Sequence, residues 1–176
     1  MSWIGRNRWG LIALGPALAL VVAVSAQGVQ ATLAARPRVA VPADGDGWYR
    51  LAEARLRLST LEHASGLETA SGRPFTPDTH VVIWRAVIDF EAANDALIGD
   101  CQVWIEDDLG RTYHTDPDLE LAGSVGGTSR GCLRVDDSQT RYSNAEFFAL
   151  PESARPVAVR VVVQGYQPLY VRMPRH

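Results

Sequence analysis

The sequence predicts an all-β domain of two sheets packed face to face, carried behind one apolar amino-terminal helix. Three observations predict it. Apolar side chains alternate with period two in short runs from about residue 48 onward, Gly, Pro and Asp clusters separate those runs, and no run after residue 36 keeps helical spacing. An apolar fraction of 47% against 21% charged supplies a core and sets aside a disordered or collagen-like chain. The 176 residues suffice for one domain plus accessory segments. The formal charge of −3 divides unevenly: residues 1–35 carry two Arg and no acid, and the remainder carries fifteen Arg against twenty acids. Such a balance offers no basic face for nucleic acid.

Trp9 to Ala26 (WGLIALGPALALVVAVSA) is uncharged. As a helix at ~1.5 Å per residue it spans about 27 Å, close to the ~30 Å hydrocarbon core of a bilayer. Arg6, Arg8 and the α-amine precede it, and Trp3 and Trp9 stand where interfacial anchors stand. Arg36 and Arg38 follow, with Asp44 and Asp46 soon after. The charge bias therefore puts the amino terminus inside and the bulk of the chain outside. Three readings are open: a membrane anchor over residues 1–35, an export signal cleaved after Val24-Ser25-Ala26, and a buried helix. The first two export residues 36–176.

Pro37 to Gly47 (PRVAVPADGDG) reads as an extended linker over 36–47, with the β domain over 48–176. A strand follows from about Trp48 to Leu61, with Ala54, Leu56, Leu58 and Thr60 on one side and Glu53, Arg55, Arg57 and Ser59 on the other. Glu62 to Asp78, holding Gly66, Gly72, Pro74 and Pro77, reads as a long loop. Thr79 to Phe90 is apolar on both faces, which places it centrally. Cys101–Glu106 and Arg111–His114 flank Asp107-Asp108-Leu109-Gly110 and predict a hairpin. Residues 116–143 show no period and predict a loop; Glu146–Leu150 predicts a short strand and Pro151–Pro156 a turn. Val157, Val159, Val161 and Val163 alternate into another strand, and Leu169–Met173 supplies the last.

About seven short strands, turn signals between them and one long-range cysteine pair indicate an immunoglobulin-like β-sandwich, with Trp84 the candidate for its buried tryptophan. Cys101 and Cys132 are the only cysteines. An oxidising compartment permits their bridge, and closing a loop of about 30 residues gives roughly 3.7 kcal/mol on the chain-entropy model. The alternative is two reduced, buried thiols. The order C-x-V-x-I-x-D-x-x-G-R-x-Y (Cys101 to Tyr113), a second Cys after a Gly-rich loop, and F-F-A-L-P-x-x-A-R-P (Phe147 to Pro156) resembles small actinobacterial membrane-anchored proteins of unknown function. The exclusive use of Arg as a basic residue also suits a high-GC genome. The resemblance covers roughly residues 48–173, implies an immunoglobulin-like extracytoplasmic domain, and carries over no catalytic residue.

Glu106-Asp107-Asp108, with Asp116, Asp118 and Glu120, is the densest carboxylate region and the candidate for Ca²⁺, although it lacks EF-hand spacing. His63, His80, His114 and His176 lie in no nucleophile or zinc motif. Gly123 to Gly131 resembles a phosphate loop without its Lys and without a following helix. Trp48, Trp104, Phe147, Phe148 and Tyr166 could form an aromatic patch, and single aromatics on alternating strands ordinarily belong to the core.

The function expected from these residues is a non-enzymatic, single-pass membrane protein, without metal or cofactor. Its extracytoplasmic domain would bind a membrane or envelope protein, as an accessory to an envelope or transporter complex. The candidate interaction loop is marked by Asp116, Asp118, Arg130, Asp136 and Asp137. The alternative is a small-molecule or calcium-binding sensor ectodomain.

Overall fold

The computed structural model describes residues 36–51, 53–93, 101–115, 121, 131–134 and 138–175, together with Leu18 and Ser25, which are helical. The chain divides into two compact units, Met1–Arg36 and Pro37–His176. The rest of the expected membrane span lies outside the described residues, and among these no helix is long and apolar enough to cross a membrane.

The second unit is all-β. In chain order its strands are β1 (Val39–Val41), β2 (Tyr49–Leu51), β3 (Ala54–His63), β4 (Val81–Ala92), β5 (Cys101–Asp107), β6 (Thr112–His114), β7 (Arg141–Pro151), β8 (Pro156–Val163) and β9 (Leu169–Pro174). One sheet runs β2-β3-β4-β7 and the other β1-β9-β8-β5-β6. The chain crosses between the sheets after β1, β4, β6 and β7, so β4 and β7 pair in one sheet while β5 and β8 pair in the other.

Alternation builds the core as expected. Ala86, Ile88, Phe90 and Ala92 of β4 meet Val103 and Ile105 of β5, Val159, Val161 and Val163 of β8, and Val171 and Met173 of β9 in one buried cluster. The other face of β4 is also partly apolar. Ile83 joins Leu121 and Phe147 in a second cluster, under Leu67 and Phe75 of the long loop. Two-faced burial explains the unbroken apolar character of this strand, which lies between β3 and β7.

Several expectations need correction. The strand read from Trp48 to Leu61 is two strands, because Leu51 faces Ala54 across a turn. The inward positions Tyr49, Leu51, Ala54 and Leu56 therefore change phase between 51 and 54. Thr60, expected inside, is exposed. A bulge between Leu58 and Thr60 adds one residue and turns Leu61 inward instead. Part of the expected linker, Val39–Val41, pairs in parallel with β9. The short strand expected at 146–150 begins at Arg141, within the stretch read as loop. Its polar start is held by packing: the Tyr142 ring stacks on Phe90 at 5.0 Å, and the Asn144 amide donates to the carbonyls of Gly131 and Leu133. The described strands number nine where about seven were expected.

Candidate functional site

Cys101 opens β5 and is joined to Cys132, with Cα atoms 5.9 Å apart and both residues buried. The bridge ties residues 131–134 to β5, and hydrogen bonds hold the same segment to β7, where the Tyr142 hydroxyl donates to the Cys132 carbonyl at 2.7 Å. Gly131 is required there by close approach. A Cβ at this position would lie 2.5 Å from Val103 Cγ2 and 3.1 Å from Glu146 Oε1.

Glu146 stands on β7 in period with Phe148 and Leu150, both core residues, so it lies on the inward stripe of the strand. It lines a cleft of about 100 Å³ together with Cys101, Gln102, Val103, Trp104, His114, Thr115 and Gly131. Cross-strand partners Trp104 and His114 form one wall, with ring centroids 4.7 Å apart. Among the described residues nothing hydrogen-bonds or ion-pairs with the Glu146 carboxylate. Burial without a compensating partner pushes its pKa up from 4.5 to about 7. A carboxyl in that state can take up or release a proton near neutrality, or accept a cation.

The acids singled out by sequence density behave differently. Glu106, on the outer face of β5, accepts from Arg160 Nε at 2.7 Å and Arg172 Nε at 2.9 Å. Burial raises its pKa, but the guanidinium bonds of Arg172 and Arg160 outweigh burial and hold it below the usual carboxylate range. Asp107 closes the hairpin turn by accepting from the backbone N–H of Leu109 and Arg111, from Arg111 Nε at 2.6 Å and from the Tyr113 hydroxyl. Burial again acts upward, and the bonds from Arg111 and Leu109 carry the net shift downward. The lone pairs that Glu106 and Asp107 would offer a Ca²⁺ are thus taken by guanidinium, hydroxyl and amide donors, while Asp116, Asp118 and Glu120 lie outside the described residues. At the opposite sheet, Arg55 binds Asp46 and Glu91, Arg57 binds Asp89, and Arg141 binds Glu91.

The remaining candidates disperse. Asp116, Asp118, Arg130, Asp136 and Asp137 lie outside the described residues, as do Glu120, His176 and all of the phosphate-like loop except Gly131. The aromatic residues do not gather into a patch. Phe148 and Phe147 are buried, Tyr166 packs on the core, and Trp48 lies under the guanidinium groups of Arg55 and Arg57. Trp84 is half-buried against the core with Arg175 over its ring, while Phe90 and Phe148 are the largest fully buried side chains. His63 packs edge-on to Trp84 and lines a wider groove of about 410 Å³ with Glu62, Ser65, Glu68, Arg85 and Phe147. His80 sits 3.6 Å from Glu152 at a positive φ of 69°.

Sequence reasoning missed Glu146 because Phe147 and Phe148 give that stretch no clean alternation. The available signal was a glutamate two residues before Phe148, on the side that Phe148 and Leu150 take into the core.

No protein-family model matches the chain, and no curated protein matches it. An uncharacterised β-sandwich protein from Clostridium difficile 630 is similar in its crystal structure, with a TM-score of 0.40 and 8% identity over 78% of this chain and 93% of that one. The two-sheet architecture of the present chain stands on its own strand pairing.

Proposed function

We propose that this chain is a single-pass membrane protein whose extracytoplasmic domain, an immunoglobulin-like sandwich, binds another membrane or envelope protein and performs no catalysis of its own. The observation that carries the reading is the division of its charged groups. The Glu106, Asp107 and Asp46–Glu91 networks are satisfied within the domain, whereas Glu146, in a cleft beside the disulfide, has no partner among the described residues. A group left unsatisfied by folding is a group available to a partner.

Further support comes from three sides. The interlocked pairs β4–β7 and β5–β8 have the connectivity of Greek-key sandwiches. The uncharged Trp9–Ala26 segment is long enough to anchor, and the Cys101–Cys132 bridge suits an oxidising compartment. The hairpin resemblance noted above points to the same small actinobacterial membrane proteins. A sensor of small molecules is the second reading, favoured by the wider groove at His63 and Arg85.

The test is crosslinking in native membranes followed by affinity capture and mass spectrometry. A reproducible membrane or envelope partner is the expected result, and its loss on substitution at the cleft would place the contact. Capture of nothing, together with thermal stabilisation by a metabolite, would replace this reading with the sensor.

A further inference from the structure

We propose that the cleft at Glu146 is a socket for one lysine side chain of the protein partner. The proposal rests on the interaction reading above and adds to it the chemistry of the contact.

Size comes first. A cleft of about 100 Å³ holds about three waters at ~30 Å³ each, whereas small-molecule sites occupy roughly 300–1,000 Å³. It accommodates the end of one long side chain and excludes a whole metabolite. Charge comes second. The floor carries a carboxylate with no partner among the described residues, and none of the described residues lining the cleft is an Arg. A cation therefore meets an acid whose desolvation has already occurred in folding, so the attraction is not offset by stripping water from that acid again.

Shape selects the kind of cation. Glu146 Oε1 lies against Gly131, at 3.1 Å from where a Cβ would stand. A planar guanidinium fork, which engages both carboxylate oxygens at once, is hindered by that backbone, while a compact ammonium needs only one. The wall of Trp104 and His114 rings suits the methylene stem, and the indole face favours a nearby ammonium. Gln102 and Thr115 supply oxygen acceptors for the other ammonium protons.

Protonation opposes occupancy. Uptake of a proton by Glu146 removes the counter-charge; among the described residues lining the cleft, His114 is the other ionisable side chain. Gln102, Trp104 and Thr115 of the facing elements carry no charge.

The experiment uses the full chain in detergent micelles, with the Glu146 carboxyl followed by ¹³C NMR. Three probes are added: N-acetyl-lysine-methylamide, its uncharged norleucine analogue, and n-butylammonium. The lysine probe is expected to lower the Glu146 titration midpoint and to bind more tightly at about pH 8 than at about pH 6, and Glu146→Gln is expected to weaken it roughly tenfold or more. Equal effects of the lysine and norleucine probes, or unchanged binding in Glu146→Gln, would overturn the socket. So would binding of butylammonium alone, which makes the site one for free amines. A rise of the Glu146 midpoint in Arg130→Ala without any probe would show that the chain supplies its own counter-ion, and would overturn it too. Glu146→Gln retains the volume of the side chain, and its thermal melt shows that the domain is folded. Failure of the two readings is separable: a partner captured equally by wild type and Glu146→Gln removes the socket and leaves the interaction, whereas lysine-probe binding with no partner captured removes the interaction and leaves an amine site.

Discussion

Glu106 and Glu146 occupy different sheets and show two fates of a carboxylate withdrawn from water. Glu106 lies on an outer face, yet two arginines from neighbouring strands close over it, and it is only 8% exposed. Glu146 lies on an inner stripe at a strand edge, with a cleft in front of it and no described partner. The first acid fastens β5 to β8 and β9. The second carries an unrelieved desolvation cost that the rest of the core must outweigh. The difference teaches that charge density in a sequence marks where folding consumes acids, while an isolated glutamate within an apolar stripe marks where one is kept for something else.

Four experiments would break or sharpen this contrast. The largest effect is expected from replacing Cys101 and Cys132 together with Ala. Opening a loop with sequence separation 31 should cost about 3.7 kcal/mol on the chain-entropy model, read by denaturant unfolding. With residues 131–134 released, the Glu146 midpoint should fall back toward 4.5 while the Glu106 titration stays in place; if both moved together, the two acids would not be independent. Next, Glu106→Ala should destabilise by about 3 kcal/mol at neutral pH, because two partly buried guanidinium groups lose their counter-charge. The sign with pH follows from a depressed native pKa. The stabilisation is present above the unfolded value of 4.5 and disappears as pH falls through the lower native value, so mutant and wild type should converge in acid.

Glu146→Gln should act in the opposite direction. Its native pKa is raised from 4.5 to about 7, so the wild type loses stability as pH climbs through that window and does not regain it above. The glutamine variant should be more stable by about 3 kcal/mol above pH ~7, with the gain vanishing below pH ~4.5, in melts taken across the range. Parallel melting curves at all pH values would show that Glu146 is not held in a dehydrated state. The smallest effect belongs to Arg57→Ala. Its ion pair with Asp89 is half exposed, and its stacking over Trp48 is on the surface, so a loss under about 1 kcal/mol is expected by urea titration.

Much of the fold was legible because pleating leaves a period-two record. β4, β8, β9 and the β5–β6 hairpin appear nearly where alternation and the Asp-Asp-Leu-Gly turn put them. What escaped was whatever depends on a neighbour distant in sequence. The bulge after Leu58 reverses the sense of Thr60 and Leu61 through its register with β4. Tyr142-Ser143-Asn144 looks like loop, yet it becomes strand because residues 131–134 and Phe90 take up its polar and aromatic groups. That Cys101 and Cys132 could bridge only to each other was legible from their count, while the oxidised state rested on the expected export. The cleft was not, since it arises where a hairpin from one sheet, an edge from the other and a glycine of the tethered segment converge.

The parallel pairing of β1 with β9 has a mechanical consequence. Val39, Ala40 and Val41 lie beside Leu169, Tyr170 and Val171, and both strands run the same way. Tension applied between the residue-37 end and the carboxyl end of β9 therefore draws the two strands past each other lengthwise. The ladder bears such a load on all its hydrogen bonds at once, whereas a hairpin pulled open at its ends breaks them singly. The domain is accordingly braced against traction along the chain, and a pulling experiment on single molecules would record β1 as the first barrier to rupture.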